Sequence, residues 1–293
     1  MRSDQQSNSN KGIAGLWAGI PVILKAILTG FLVSTAGIAI WSADIYFFKL
    51  SSWSILLMPV PLWLYWKIFS GKGWPKRGSE TRGILFRNTH LSAQVWKWGL
   101  FAGLLFVLIV QSSFVITFRI TPLPDSFSSQ YKIIESLPIG VAWLAIFMSS
   151  LVAGVCEEVG FRGYMQVPLE KRYGSTVAIV IVSIIFSLVH LDRSWAGSIF
   201  PIIFFASILL GILAYQTQSL LPGIIGHTIL DIFDYSLWWT KLVGKFNWRT
   251  ISVTGVDGHF IVWCAVFIVA TASFFWAIGK LKNGKGIPVG NER

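Results

Sequence analysis

Apolar residues fall in long runs separated by short polar stretches. A helix needs about 20 apolar residues to cross the hydrocarbon core of a bilayer, and eight runs come near that length: 20–42, 53–69, 96–118, 138–166, 175–191, 196–216, 219–239 and 260–280. They predict an all-α polytopic membrane protein, a bundle of about eight transmembrane helices. Lys25 lies close enough to one end of the first run to snorkel. The second run is short and holds Pro59 and Pro61, so it is expected to kink or to insert only in part. The run 138–166 would be about 45 Å long at 1.5 Å per residue. It must tilt, break or begin as an interfacial segment, and it is the one run with adjacent acids inside it.

Composition supports this class and excludes others. Hydrophobic residues make up 54% of the 293 residues and charged residues 13%, with mean hydropathy +0.65. A soluble domain carries about 25% charged residues, and disorder requires low hydrophobicity with high charge. Only two cysteines are present, Cys156 and Cys264, both in apolar runs, which excludes a disulfide scaffold. The net charge of +11 does not point to nucleic acid, because the basic residues sit between apolar runs and form no stripe. With the N-terminus inside and eight crossings, sixteen Lys and Arg fall inside and seven outside. That asymmetry predicts both termini in the cytoplasm, in the plasma membrane if the chain is bacterial. The polar start is not expected to be a cleavable signal. The 15 tryptophans suit rings at the membrane interface, and Trp238, Trp239 and Trp248 are read as such anchors. The Gly-, Lys- and Arg-rich loop 70–95 is the best internal boundary. Residues 1–130 form an N-terminal membrane region of about three helices without a readable motif, and 131–293 form the core, with the informative motifs in 138–240.

Ionisable groups inside a bilayer cost about 2.5–3.5 kcal/mol each on insertion scales, so they mark function by default. Three places qualify. Glu158 and Arg162 stand four residues apart with the acid first and can pair on one helix face. Glu157 lies about 100° around the helix, lacks a local partner, and is suited to general-base work. Phe186 and His190 share a face at the end of an uncharged run. His227 and Asp231 are one turn apart, a spacing that suits a hydrogen-bonded pair or two ligands of one metal. Asp234, three residues on, is read as an interfacial acid, and His90 and His259 are given no role. Straight-helix estimates put Glu157 some 15 Å, His190 some 22 Å and His227 about 12 Å above the inner loops, so the three can meet in the inner half of the membrane.

The order EExxFRG, FxxxH, HxxxD resembles the CAAX-processing and bacteriocin self-immunity family, the type II CAAX prenyl endopeptidase-like intramembrane proteases. Glu157, Glu158, Phe161, Arg162 and Gly163 carry the first motif, Phe186 and His190 the second, His227 and Asp231 the third. The resemblance implies an endopeptidase acting on a membrane-associated or CAAX-like substrate, which could be lipidated. Glu157 would activate water with His190. His227 and Asp231 would complete the site, and Glu158, Arg162 and Phe186 would support it. Members often have Asn where this chain has Asp231. An ionised Asp can only accept a hydrogen bond, which leaves a protonated Asp231, an orienting role on His227, or a metal ligand. A divalent ion such as Zn²⁺ on Glu157, His190, His227 and Asp231 is therefore an alternative to a glutamate-type site, although HExxH is absent. Two further readings are a non-catalytic immunity or adaptor protein of the same fold and an ion-coupled transporter.

Overall fold

The computed structural model describes residues 17, 19–122, 127, 132–191, 196–240, 242 and 249–283, which contain helix and turn but no strand. Several basic residues counted for orientation (Arg2, Lys11, Arg193, Lys241, Lys245, Lys285 and Arg293), together with Trp248, lie outside the described residues. Every predicted run falls on helix. The first is α1 (Val22–Ala43), which continues as a π-helix over Asp44–Phe48. Run 53–69 is broken into α2 (Ser52–Leu57) and α3 (Pro59–Phe69) at Met58, as its prolines predict. The next elements are α4 (Ser79–Leu85), α5 (Ala93–Ile120), α6 (Lys132–Glu135) and α7 (Ile139–Glu157). A π-helix over Glu158–Met165 leads into α8 (Gln166–Tyr173). After it come α9 (Ser175–Leu188), α10 (Ala196–Thr217), α11 (Leu221–Phe233) with a π-helix over Asp234–Trp239, α12 (Ile251–Thr254) and α13 (Gly258–Asn283).

The described residues bear out an all-α protein with several membrane-spanning helices. Among the described residues five helical stretches are long and apolar enough to cross a membrane: Val22–Phe48, Ala93–Ile120, Ile139–Tyr173, Gly197–Thr217 and Gly258–Leu281. The 14 residues of α9 reach about 21 Å at 1.5 Å per residue, short of a hydrocarbon core of about 30 Å. The outward faces are apolar, as lipid contact requires: Leu28, Leu32, Leu56, Leu57, Ile261 and Val269 are all exposed.

Apolar contacts run across the position near residue 130. Phe106, Phe118 and Phe127 share one apolar cluster with Leu209, Leu213 and Phe274, so α5 packs into the C-terminal half. At the end of α5, Arg119 donates to Asp257 Oδ2 at 2.7 Å and to Thr254 Oγ1 at 2.8 Å. The Arg119 guanidinium and the Phe260 N–H hold the Asp257 carboxyl down at about 2.

The over-long fourth run is one continuous helix whose middle turn widens to π. The widened turn allows backbone to approach backbone. A Cβ on Gly160 would lie 2.6 Å from both the Gly30 carbonyl oxygen and Ser34 Cβ on α1, and one on Gly163 would lie 2.7 Å from the Leu85 carbonyl oxygen. Gly160→Ala is therefore expected to push α1 off the π-turn and lower stability by about 1–3 kcal/mol, the usual cost of overpacking. Gly140→Ala, with nothing within 4 Å of the added carbon, should be neutral or mildly stabilising. Thermal unfolding midpoints of the two variants in lipid nanodiscs check the contrast.

Candidate active site

Four elements bring the polar groups together. Glu157 ends α7, and Glu158 opens the π-turn. His190 stands just beyond the short α9, while His227 and Asp231 lie on α11. Because α9 ends at Leu188, His190 stands in the turn that follows and lines the cavity. Glu157, His190, His227 and Asp231 line one cavity of about 140 Å³, otherwise walled largely by apolar side chains including Phe106, Val110, Ile202 and Leu230. Each molecule in liquid water takes up about 30 Å³, so the cavity has room for a few waters or one small side chain.

His227 is the hub. Its Nδ1 donates to Glu158 Oε1 at 3.0 Å, since a carboxylate can only accept. Its Nε2 faces Glu157 Oε2 and Asp231 Oδ1, each at 3.8 Å. Those longer separations are not direct hydrogen bonds, but a water or a substrate atom can sit beside all three groups. The His190 ring is set from behind. Its Nδ1 lies 2.7 Å from the Phe186 carbonyl oxygen and must donate to it, so the neutral ring presents Nε2 as an acceptor.

The expected Glu158–Arg162 pair is present and fully buried. Arg162 Nη1 lies 3.2 Å from Glu158 Oε1, with both side chains at 0% exposure. Its angles are those of an ion pair rather than a hydrogen bond, because Nη1 has no hydrogen-bond partner. Arg162 Nη2 donates to Ser207 Oγ at 3.1 Å, and its guanidinium carbon stands 4.4 Å over the Phe186 ring. Phe186 in turn lies 4.7 Å from the His190 ring and 6.4 Å from the His227 ring. The three supporting residues thus brace both histidines. A Cβ on Gly223 would come within 3.1 Å of Glu158 Oε2, so α11 carries glycine where it passes the buried carboxylate.

Asp234 requires correction. It is not an interfacial acid: it is 3% exposed and lines the same cavity. Gln111 Nε2 donates to Asp234 Oδ1 at 2.6 Å, and Trp238 Nε1 donates to Gln111 Oε1 at 2.8 Å. An indole can only donate, which fixes the amide orientation of Gln111. Trp238 is therefore a buried structural donor rather than an interface anchor. Two signals were available in the sequence. Asp234 follows Asp231 by three residues, on one helix face, and Gln111 is the single amide in run 96–118.

Among the described residues, no group of three or more His, Cys, Asp or Glu takes up an arrangement that could hold a metal ion. His227 Nδ1 is committed to Glu158, which leaves Nε2 as the ring atom that faces Glu157 and Asp231.

Comparison with known proteins agrees with the motif order. Residues 138–233, about a third of the chain, match the family described as type II CAAX prenyl endopeptidase, Rce1-like. The matched segment contains all four residues gathered at the cavity. No curated protein and no solved structure matches the chain.

Proposed function

We propose that the protein is an intramembrane endopeptidase whose water is activated by Glu157 together with His190. The observation that carries this reading is the single cavity lined by Glu157, His190, His227 and Asp231 inside an apolar helix bundle. Amide hydrolysis needs an activated water, stabilisation of the developing oxyanion and a proton for the departing nitrogen. A water in the cavity donates one O–H to the Glu157 carboxylate and the other to His190 Nε2. Glu157 takes the proton as the water oxygen attacks the substrate carbonyl carbon. His227, anchored at Nδ1 on Glu158, turns Nε2 toward the oxyanion and donates to it when that nitrogen carries a proton. Asp231, an acceptor, orients His227 in place of the oxyanion donor that an Asn would supply. The C–N bond then breaks as Glu157 passes its proton to nitrogen, leaving a carboxylic acid and an amine.

The apolar walls and the bilayer setting favour a membrane-associated peptide or protein substrate, such as a CAAX-like C-terminus that could be lipidated. Both chain termini are proposed to face the cytoplasm. The reading is tested by mapping the termini of membrane proteins in cells with the wild-type chain and with Glu157→Ala. We expect a set of new termini that disappears in the variant while the variant accumulates in the membrane. Identical terminus maps would refute peptidase activity and leave the immunity or adaptor role.

A further inference from the structure

The π-turn that carries Glu158 and Arg162 changes the hydrogen-bond pattern of its own backbone. In an α-helix the Gln166 N–H would bond to the carbonyl four residues back, at Arg162. Here it bonds to Phe161 and Gly163 instead and skips Arg162. The carbonyl that Gln166 skips accepts from a side chain of the N-terminal region: Arg87 Nε donates to the Arg162 carbonyl oxygen at 3.2 Å. Arg87 is 5% exposed and sits in left-handed backbone at φ 51°, a conformation uncommon for a residue with a side chain. Its Nη2 pairs with Glu170 Oε1 at 2.6 Å. Gln166 Nε2 donates to the same Glu170 oxygen at 2.7 Å and to the Gly211 carbonyl at 3.0 Å. The guanidinium thus bridges the turn, α8 and, through Gln166, α10.

From this geometry we infer that Arg87 is a positioning residue of the proposed active site, acting through the Arg162 carbonyl to hold the π-turn in register. The inference rests on the proposed reading only for what the turn positions; the clamp itself can be tested without a substrate. The π register sets where Glu158 meets His227 and where Glu157 faces the cavity, so releasing the carbonyl lets the turn relax toward α geometry and shifts both acids. None of the three motifs of the C-terminal half reveals this dependence, because Arg87 lies 75 residues before Arg162. Lysine cannot replace it: one ammonium lacks the planar fork that reaches a carbonyl and a carboxylate in two directions.

The clamp borders an open cavity of about 540 Å³ lined by Arg87, Asn88, Glu170, Lys171 and Tyr215 among others. Small solutes can therefore reach the clamp. This permits a rescue experiment on the full chain in proteoliposomes, read by amide hydrogen exchange over residues 157–167. In Arg87→Ala, exchange of that segment should rise about tenfold or more, the equivalent of losing a charge-assisted hydrogen bond, while residues 221–233 keep their protection. Millimolar guanidinium chloride should restore slow exchange in Arg87→Ala and leave the wild type unchanged, whereas sodium chloride at equal concentration should not. Arg87→Lys should behave like Arg87→Ala. Should Arg87→Ala fail to accumulate, Glu170→Gln carries the same test, with a smaller rise expected because Nε still reaches Arg162. Unchanged exchange, or a rise spread over all helices without rescue by guanidinium, would overturn the inference. Loss of all terminus cleavage by the wild type would instead refute the protease reading and leave the clamp standing.

Discussion

Glu157→Gln should leave a folded membrane protein that no longer cleaves its substrate. The substitution keeps size and shape and removes only the ability to take a proton. General-base catalysis contributes roughly 10²–10⁴-fold in rate, so kcat should fall by that factor with KM little altered. Stability should change little, because Glu157 is not the acid that carries the ion pair. Its carboxyl oxygen lies 3.8 Å from His227 Nε2, and its side chain is 15% exposed and lines the cavity. His190→Ala should give a loss of similar size, since it removes the Nε2 acceptor that the Phe186 carbonyl positions. The measurement is the rate at which purified wild-type and variant protein, in equal lipid, process a terminus identified by the terminus comparison. Cleavage by Glu157→Gln at the wild-type rate would exclude Glu157 as the base. Asp231 or Asp234, the other carboxylates lining the cavity, would then be the candidate base.

Much of this site was legible because charge inside a bilayer has to be explained. Glu157, Glu158, Arg162, His190, His227 and Asp231 all stand in or at the ends of apolar runs, where the cost of an ionisable group singles it out. Helical spacing puts Glu158 beside Arg162 and brings His227 to 3.8 Å from Asp231. Legibility ended where the helix stopped being α. The widened turns at Glu158–Met165 and Asp234–Trp239 do not arise from any residue preference that a periodic reading can use. They depend on what packs against them: Gly30 and Ser34 beside Gly160, and Gln111 against Asp234. For the same reason the first 130 residues looked silent. Phe106 and Val110 in the cavity wall, Gln111 behind Asp234 and Arg87 under the π-turn contribute through contacts with distant segments, and no local pattern announces such contacts. The eight apolar runs were likewise read correctly as helices. The helix α9 is shorter than run 175–191 because the last three residues of the run form a turn.

Arg162→Leu should cost the fold far more than any change at Glu157. It leaves Glu158 with 0% exposure, one oxygen without a hydrogen-bond partner, and no neutralising charge. Removing one member of a buried ion pair costs about 3–5 kcal/mol, because the remaining charge stays desolvated. The change also withdraws the donor to Ser207 and the cation from the face of Phe186, so the packing that steadies the His190 ring loosens with it. We expect little folded protein in the membrane and a sharply lowered unfolding midpoint in what remains. The double variant Glu158→Gln, Arg162→Leu should recover much of that stability, since replacing both charges of a buried pair is often nearly neutral and a Gln oxygen can still accept from His227 Nδ1. Cleavage should recover less than stability, because the negative charge beside the His227 ring is gone. A double-mutant cycle of unfolding midpoints, run beside cleavage rates on the same preparations, separates the two effects. Equal destabilisation by the single and double variants would mean that Arg162 acts through its contacts with Ser207 and Phe186 rather than through its charge on Glu158.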